Sequence, residues 1–236
     1  MTNKNDKTKF QLHAVFVQAN TISGYRYLDL SGIVLNRIAN LYSEFAIDPA
    51  GCVLRNPKNQ KDPFSVRFST DRIWLHYTSV DSLTYVVDTA PEWVEGISKD
   101  IEVARFSRLG LRSEFFSPCT DIVKATTELS RKVSGAIFQN MIGEFDDPAD
   151  AAVEFVIRVP LKQFVANIRA TIIKITRESK EPTDYKSDGI LFDVDIYRRG
   201  KLAEGFSKAE TKGFLKSATD HTYDVLERIG YSLLEV

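Results

Sequence analysis

The sequence predicts an α+β fold: antiparallel sheet with its helices on one side. Three observations predict it. Short strand-like runs follow one another through tight turns, without the regular strand–helix–strand alternation of a parallel sheet. The order strand, helix, several short strands, helix occurs twice, as two tandem strand–helix–four-strand–helix halves related by pseudo-two-fold symmetry. The second helix of each half opens with a hydroxyl three residues ahead of a carboxylate, in Thr89-Ala-Pro-Glu92 and Ser207-Lys-Ala-Glu210. Such capping boxes satisfy N–H groups that a first helical turn leaves unpaired. Residues 1–9 read as a polar, lysine-rich leader, 10–104 as the first half and 105–236 as the second, together one compact unit.

Each element has its own signal. Phe10–Thr21 alternates and is rich in aromatic and β-branched residues, the mark of a strand. Leu28–Phe45 carries Leu28, Leu35, Ile38, Leu41, Tyr42 and Phe45 at helical spacing, and Asp48-Pro-Ala-Gly51 ends that helix. Short strands follow at Cys52–Arg55, Phe64–Ser69, Arg72–Thr78 and Ser82–Asp88, and Thr89 caps a helix with Trp93, Val94, Ile97 and Ile101 inward. In the second half, Val103–Phe116 is a long strand and Ser117 to about Met141 a helix. Ala152–Val159, Phe164–Arg177 and Ile190–Arg198 are strands, Glu178–Gly189 is a charged loop, and Lys201–Phe206 is a short return strand. Ser207 starts a last helix that ends at Gly230, as a C-terminal glycine predicts.

Composition narrows the function classes. The chain has 236 residues and is 43% hydrophobic, enough to fold on its own core without a metal or disulfide. Its 31 basic and 32 acidic residues leave a net charge of −1, so no global field draws in nucleic acid or an anionic membrane. The two cysteines, Cys52 and Cys119, form no CxxC, and no apolar stretch is long enough to span a bilayer. We therefore expect a cytoplasmic protein with no membrane partner.

The three histidines, His13, His76 and His221, are scattered and lack metal-ligand spacing. No Walker loop, GxGxxG or GxSxG occurs, and no cofactor is expected. Asp193 and Asp195 stand two apart on a strand, so both carboxylates share a face and would suit Mg²⁺; the plainer reading is the open side of a half-buried strand. Arg105, Arg108 and Arg112 form the main basic feature. Arg108 and Arg112 flank Gly110 on one face, where a glycine leaves space for a backbone or ligand. Their guanidinium groups either clamp an anion or pair with Glu114 and neighbouring strands. Tyr197, Arg198 and Arg199 lie at a hairpin tip and, with Tyr25-Arg26-Tyr27, suggest a local interaction surface.

At Tyr85, Trp93 and Arg108-Leu-Gly-Leu-Arg112 the chain resembles a sporadically distributed bacterial family of similar length. In that family a tyrosine precedes a Trp-containing helix, and an Arg-x-Gly-Leu-Arg strand is followed by Tyr and Asn. Here Ser113 and Phe115 stand in the last two places, and the likeness is confined to about residues 70–120. It implies a bacterial cytoplasmic protein and supplies no catalytic residue. The overall element order loosely resembles a duplicated TATA-binding-protein-like fold.

These readings point first to a non-enzymatic binding or assembly protein acting through a protein partner or homo-oligomer. Nucleic-acid binding on a concave sheet is the alternative, and it needs basic residues gathered on one sheet face. A metal-dependent phosphoryl-transfer enzyme using Asp193 and Asp195 is the second alternative.

Overall fold

The computed structural model describes residues 10–22, 26–103, 105–119, 155–161, 164–173, 188–200 and 210–233. Within them β1 is Gln11–Thr21, α1 Tyr27–Ile38, β2 Tyr42–Asp48, β3 Gly51–Pro57, β4 Ser65–Phe68, β5 Arg72–Thr78 and α2 Leu83–Asp100. Then come β6 Phe106–Pro118, β7 Phe155–Leu161, β8 Phe164–Ile173, β9 Gly189–Arg199 and α3 Glu210–Leu233. The class is α+β, as its alternating strands require. All nine strands join one antiparallel sheet in the order β2-β3-β4-β5-β1-β6-β9-β8-β7. Outward from the central β1·β6 pair, one wing holds β5, β4, β3 and β2, and the other β9, β8 and β7.

Period-two patterning decides which side is covered. Val15, Val17 and Ala19 of β1 are buried, as are Ile73, Leu75 and Tyr77 of β5 and Phe192, Val194 and Ile196 of β9. Onto this side α2 packs over β5 and β1, and α3 over β6 and β9. The α2 stripe Leu83, Val86, Val87, Ala90, Val94 and Ile97 and the α3 stripe Phe214, Leu215, Ala218, Val225 and Leu226 complete the core. Helix α1 is held by Tyr27, whose hydroxyl donates to Asp48 O at 3.0 Å and whose ring meets Phe68 edge-on at 5.7 Å.

Several expected boundaries move, each for a packing reason. The helix expected over Leu28–Phe45 stops at Ile38; a single 3-10 turn, Ala39–Leu41, leads into β2. Residues 42–48 form a hairpin with β3 instead, and buried Tyr42 anchors it by donating its hydroxyl to Pro63 O at 3.1 Å. Ser82–Asp88 is not a strand. Helix α2 begins at Leu83, because Leu83, Val86, Val87 and Ala90 already form its buried stripe.

Thr89 and Glu92 therefore lie inside α2 and cap nothing; the Thr89 hydroxyl back-bonds to Tyr85 O at 3.0 Å. Ser207 lies outside the described residues, as do the expected tail 1–9, strand 201–206, the charged loop at 178–187 and the helix beyond residue 119. Ser117 and Pro118, placed in that helix, belong to β6. At the C-terminal end, α3 runs through Gly230 to Leu233.

Candidate functional site

The side of the sheet turned away from the three described helices carries the other half of each alternating strand. Cross-strand partners place Glu44, Arg55, Ser65, His76, Phe16, Arg112, Asp195, Asn167 and Arg158 in one row across all nine strands. The adjacent row holds Arg67, Trp74, Gln18, Gly110 and Tyr197. Directly opposed residues sit close enough for side chains to interact.

On β6 and β9 the arginines and carboxylates pair off. Arg108 donates from Nη2 to both oxygens of Asp195, at 2.9 and 3.1 Å. Arg112 donates from Nε to Asp193 at 2.8 Å and from Nη2 to Glu114 at 2.9 Å. Burial pushes the Asp195 carboxyl above its ordinary value, against the pull of Arg108, and Glu114 rises for the same reason against Arg112. Burial alone would lower the Arg112 guanidinium, but its bond to Asp193 together with the charges of Asp193, Glu114 and Asp195 outweighs this and raises it.

Tyr197 is buried between two cations, with the Arg108 guanidinium carbon 4.6 Å and the Arg199 one 5.4 Å from its ring centre. The space above Gly110 is thus not free for a ligand: a Cβ there would lie 2.9 Å from Arg108 Nη1. Arg108, Arg112, Tyr197, Arg199, Asp193 and Asp195 share one surface. Arg198 alternates onto the opposite side of β9, across from buried Leu109, and Arg105 is exposed at the entry to β6.

The pairing also bears on metal binding. Each member of the Asp193/Asp195 pair already accepts from a guanidinium, which Mg²⁺ would have to displace. Among the described residues no group of three or more His, Cys, Asp or Glu is arranged to hold a metal ion.

The other wing holds an aromatic cluster that motif reasoning missed. Phe16 stacks on His76, with ring centres 4.4 Å apart, and on Trp74 at 5.4 Å; Phe64 meets His76 edge-on at 5.5 Å. The Arg112 guanidinium carbon lies 5.1 Å from the Phe16 ring centre, so cations and rings run on from one wing to the other. The signal was present in β5: with Ile73, Leu75 and Tyr77 inward, a tryptophan on the alternate face beside Arg72 is out of place on a merely solvated surface. A cleft of about 260 Å³, lined by Asn56, Gln60, Asp62, Phe64, Thr78 and Ser79 among others, borders the cluster.

No protein-family model matches the chain, and no curated protein does. Among the described residues no helix is long and apolar enough to cross a membrane.

Proposed function

We propose that this chain is a non-enzymatic binding or assembly protein that docks a protein partner on the side of its sheet turned away from the three described helices. One observation carries the reading. The surface joins Trp74, Phe16 and Tyr197 to arginines whose charges are balanced in place by Asp193, Asp195 and Glu114. Trp, Tyr and Arg anchors dominate protein interfaces, and rings and guanidinium groups already held in position lose little entropy on binding. The faces of Phe16 are taken up by His76 and Arg112, which leaves ring edges, suited to side chains, more than open platforms for bases.

Native mass spectrometry of gently purified chain tests this. Trp74→Ala and Arg67→Glu are expected to strip off a discrete added protein mass that the parent chain retains, with the melting midpoint of each variant close to the parent's. A partner equally retained by both folded variants overturns the reading.

Nucleic acid on the same surface is the second reading, and Arg55 and Arg67 favour it. Both are exposed on the aromatic wing, Arg67 opposite Trp74 and Arg55 between Glu44 and Ser65. It predicts oligonucleotide affinity that falls steeply with salt and weakens in Arg55→Ala and Arg67→Ala. Affinity independent of salt ends it.

A further inference from the structure

We propose that β2, an edge strand with no neighbour on its outer side among the described residues, pairs antiparallel with β2 of a second copy of this chain, centred on Phe45. Three independent features of the edge lead there.

The first is backbone direction. Asn56 N–H donates to Phe64 O at 3.1 Å, so residues 54 and 52 turn their peptide groups toward β4, while Asn56 itself, at φ 55°, turns its carbonyl to β2 and accepts from the Ser43 hydroxyl at 3.0 Å. In an antiparallel ladder that parity alternates, so Arg55 and Val53 exchange hydrogen bonds with Glu44 and Ala46 of β2. The N–H and C=O groups of Phe45 and Ile47 are therefore aimed outward, at an edge with no partner strand among the described residues.

The second is apolar exposure. Phe45 and Ile47 are 64% and 52% exposed, on the side of the sheet that the helices cover. Leu28 of α1, 62% exposed, lies on the flank of that helix away from α2, whose side is marked by the Arg37–Asp100 ion pair at 2.7 Å. This edge also carries neither the lysine nor the proline that blocks strand addition elsewhere in proteins.

The third is charge, and it selects both occupant and register. Centring the two-fold on Phe45 pairs all of 42–48, puts Ser43 opposite Ile47, and sets Glu44 opposite Ala46 and Tyr42 opposite Asp48. Centring on Glu44 sets the two Glu44 carboxylates against each other. Centring on Ala46 sets Glu44 against Asp48 twice. Like charges directly opposed are destabilising, so the strand fits its own copy in one fully overlapped register. The outward groups of Phe45 meet those of the other Phe45 across the two-fold, and Ile47 of each copy faces Ser43 of the other. A continuous sheet spanning two copies results, with Leu28 and Phe45 of each on the same side of the seam.

Sedimentation velocity on the full chain, from nanomolar to submillimolar concentration, tests the proposal. The parent is expected to dimerise reversibly, and Phe45→Lys to remain monomeric throughout with an unchanged melting midpoint. The Ala46 pair tests the register without touching the apolar residues. Ala46→Lys faces Glu44 of the other copy and tightens the dimer, whereas Ala46→Glu weakens it, each by roughly three- to tenfold. A parent that stays monomeric, a dimer indifferent to Phe45→Lys, or equal responses to A46K and A46E each overturns it. A monomer that captures an extended peptide at β2 also overturns it, because the occupant is then not a second copy.

Discussion

Asp195 concentrates the electrostatics of the sheet surface turned away from the described helices. Its carboxyl is desolvated on a strand and held charged by Arg108, and desolvation prevails, so it binds its proton more tightly in the folded chain than in the unfolded one. The sign of the linkage follows. Over the window that opens at the ordinary aspartate value near about 4 and extends upward, the folded state carries more protons, so stability falls as pH rises. Below that window the contribution is fully present. Asparagine at 195 keeps an acceptor for Arg108 and cannot titrate. The melting midpoint of Asp195→Asn relative to the parent is therefore expected to rise steadily from pH 4 to pH 7. A difference constant across that range would show that the carboxyl titrates as it does in the unfolded chain. The side chains involved were readable from the sequence as a set, Arg108, Arg112, Asp193 and Asp195, each pair two or four apart on a strand. That each cation would meet a carboxylate of β9 was not readable, because it depends on the β6–β9 register, fixed by contacts 81 and 87 residues apart in the chain.

At the scale of elements, strands with strict alternation were legible and ambiguous apolar runs were not. β5 and β9 fall within a residue or two of their expected limits, since Ile73, Leu75 and Tyr77 recur at every second position and Phe192–Ile196 alternates strictly. Residues 42–48 and 82–88 failed for opposite reasons. Tyr42 and Phe45 continue the helical spacing of α1, yet hairpin pairing with β3 claims them; Leu83, Tyr85 and Val87 alternate, yet a helical stripe continuing to Ile97 claims them. Both outcomes are tertiary and override local propensity.

Close approach between elements gives a sharper test than their limits. Gly189 opens β9 opposite Pro118, and a Cβ there would stand 2.5 Å from the Ser117 carbonyl and closer still to the Phe116 ring. A backbone oxygen already fixed in the ladder cannot swing aside. Gly189→Ala is thus expected to cost about 1–3 kcal/mol in chemical unfolding, whereas most exposed-strand glycine replacements are neutral or helpful. A neutral result would place β9 farther from β6 than the ladder requires.

For the whole molecule, the central β1·β6 pair determines how the two wings share their stability. Ten residue pairs span it, from Gln11 with Phe116 to Thr21 with Phe106, and the buried cluster runs without a break from Cys52 and Leu54 on one wing to Ala166 and Ile168 on the other. Helix α3 adds a second tie, since it packs on β6, on β9 and on α2 of the first wing. An unfolding wing would therefore strip apolar cover and a full ladder of backbone bonds from its neighbour, a cost too large for either wing to remain folded alone. The expected calorimetric trace is one peak whose van't Hoff and calorimetric enthalpies agree, although chains of this length often unfold in steps. Val17→Ala is the diagnostic variant, because Val17 faces Leu75 on one side and Leu111 on the other and is fully buried. Removing its two methyl groups is expected to cost about 2 kcal/mol and to move the single peak to lower temperature without splitting it. If the peak splits, the wings are separate cooperative units joined by the seam. In that case the sheet surface that crosses it, from Trp74 through Phe16 and Arg112 to Asp195, would be a junction between two bodies and no longer one rigid face.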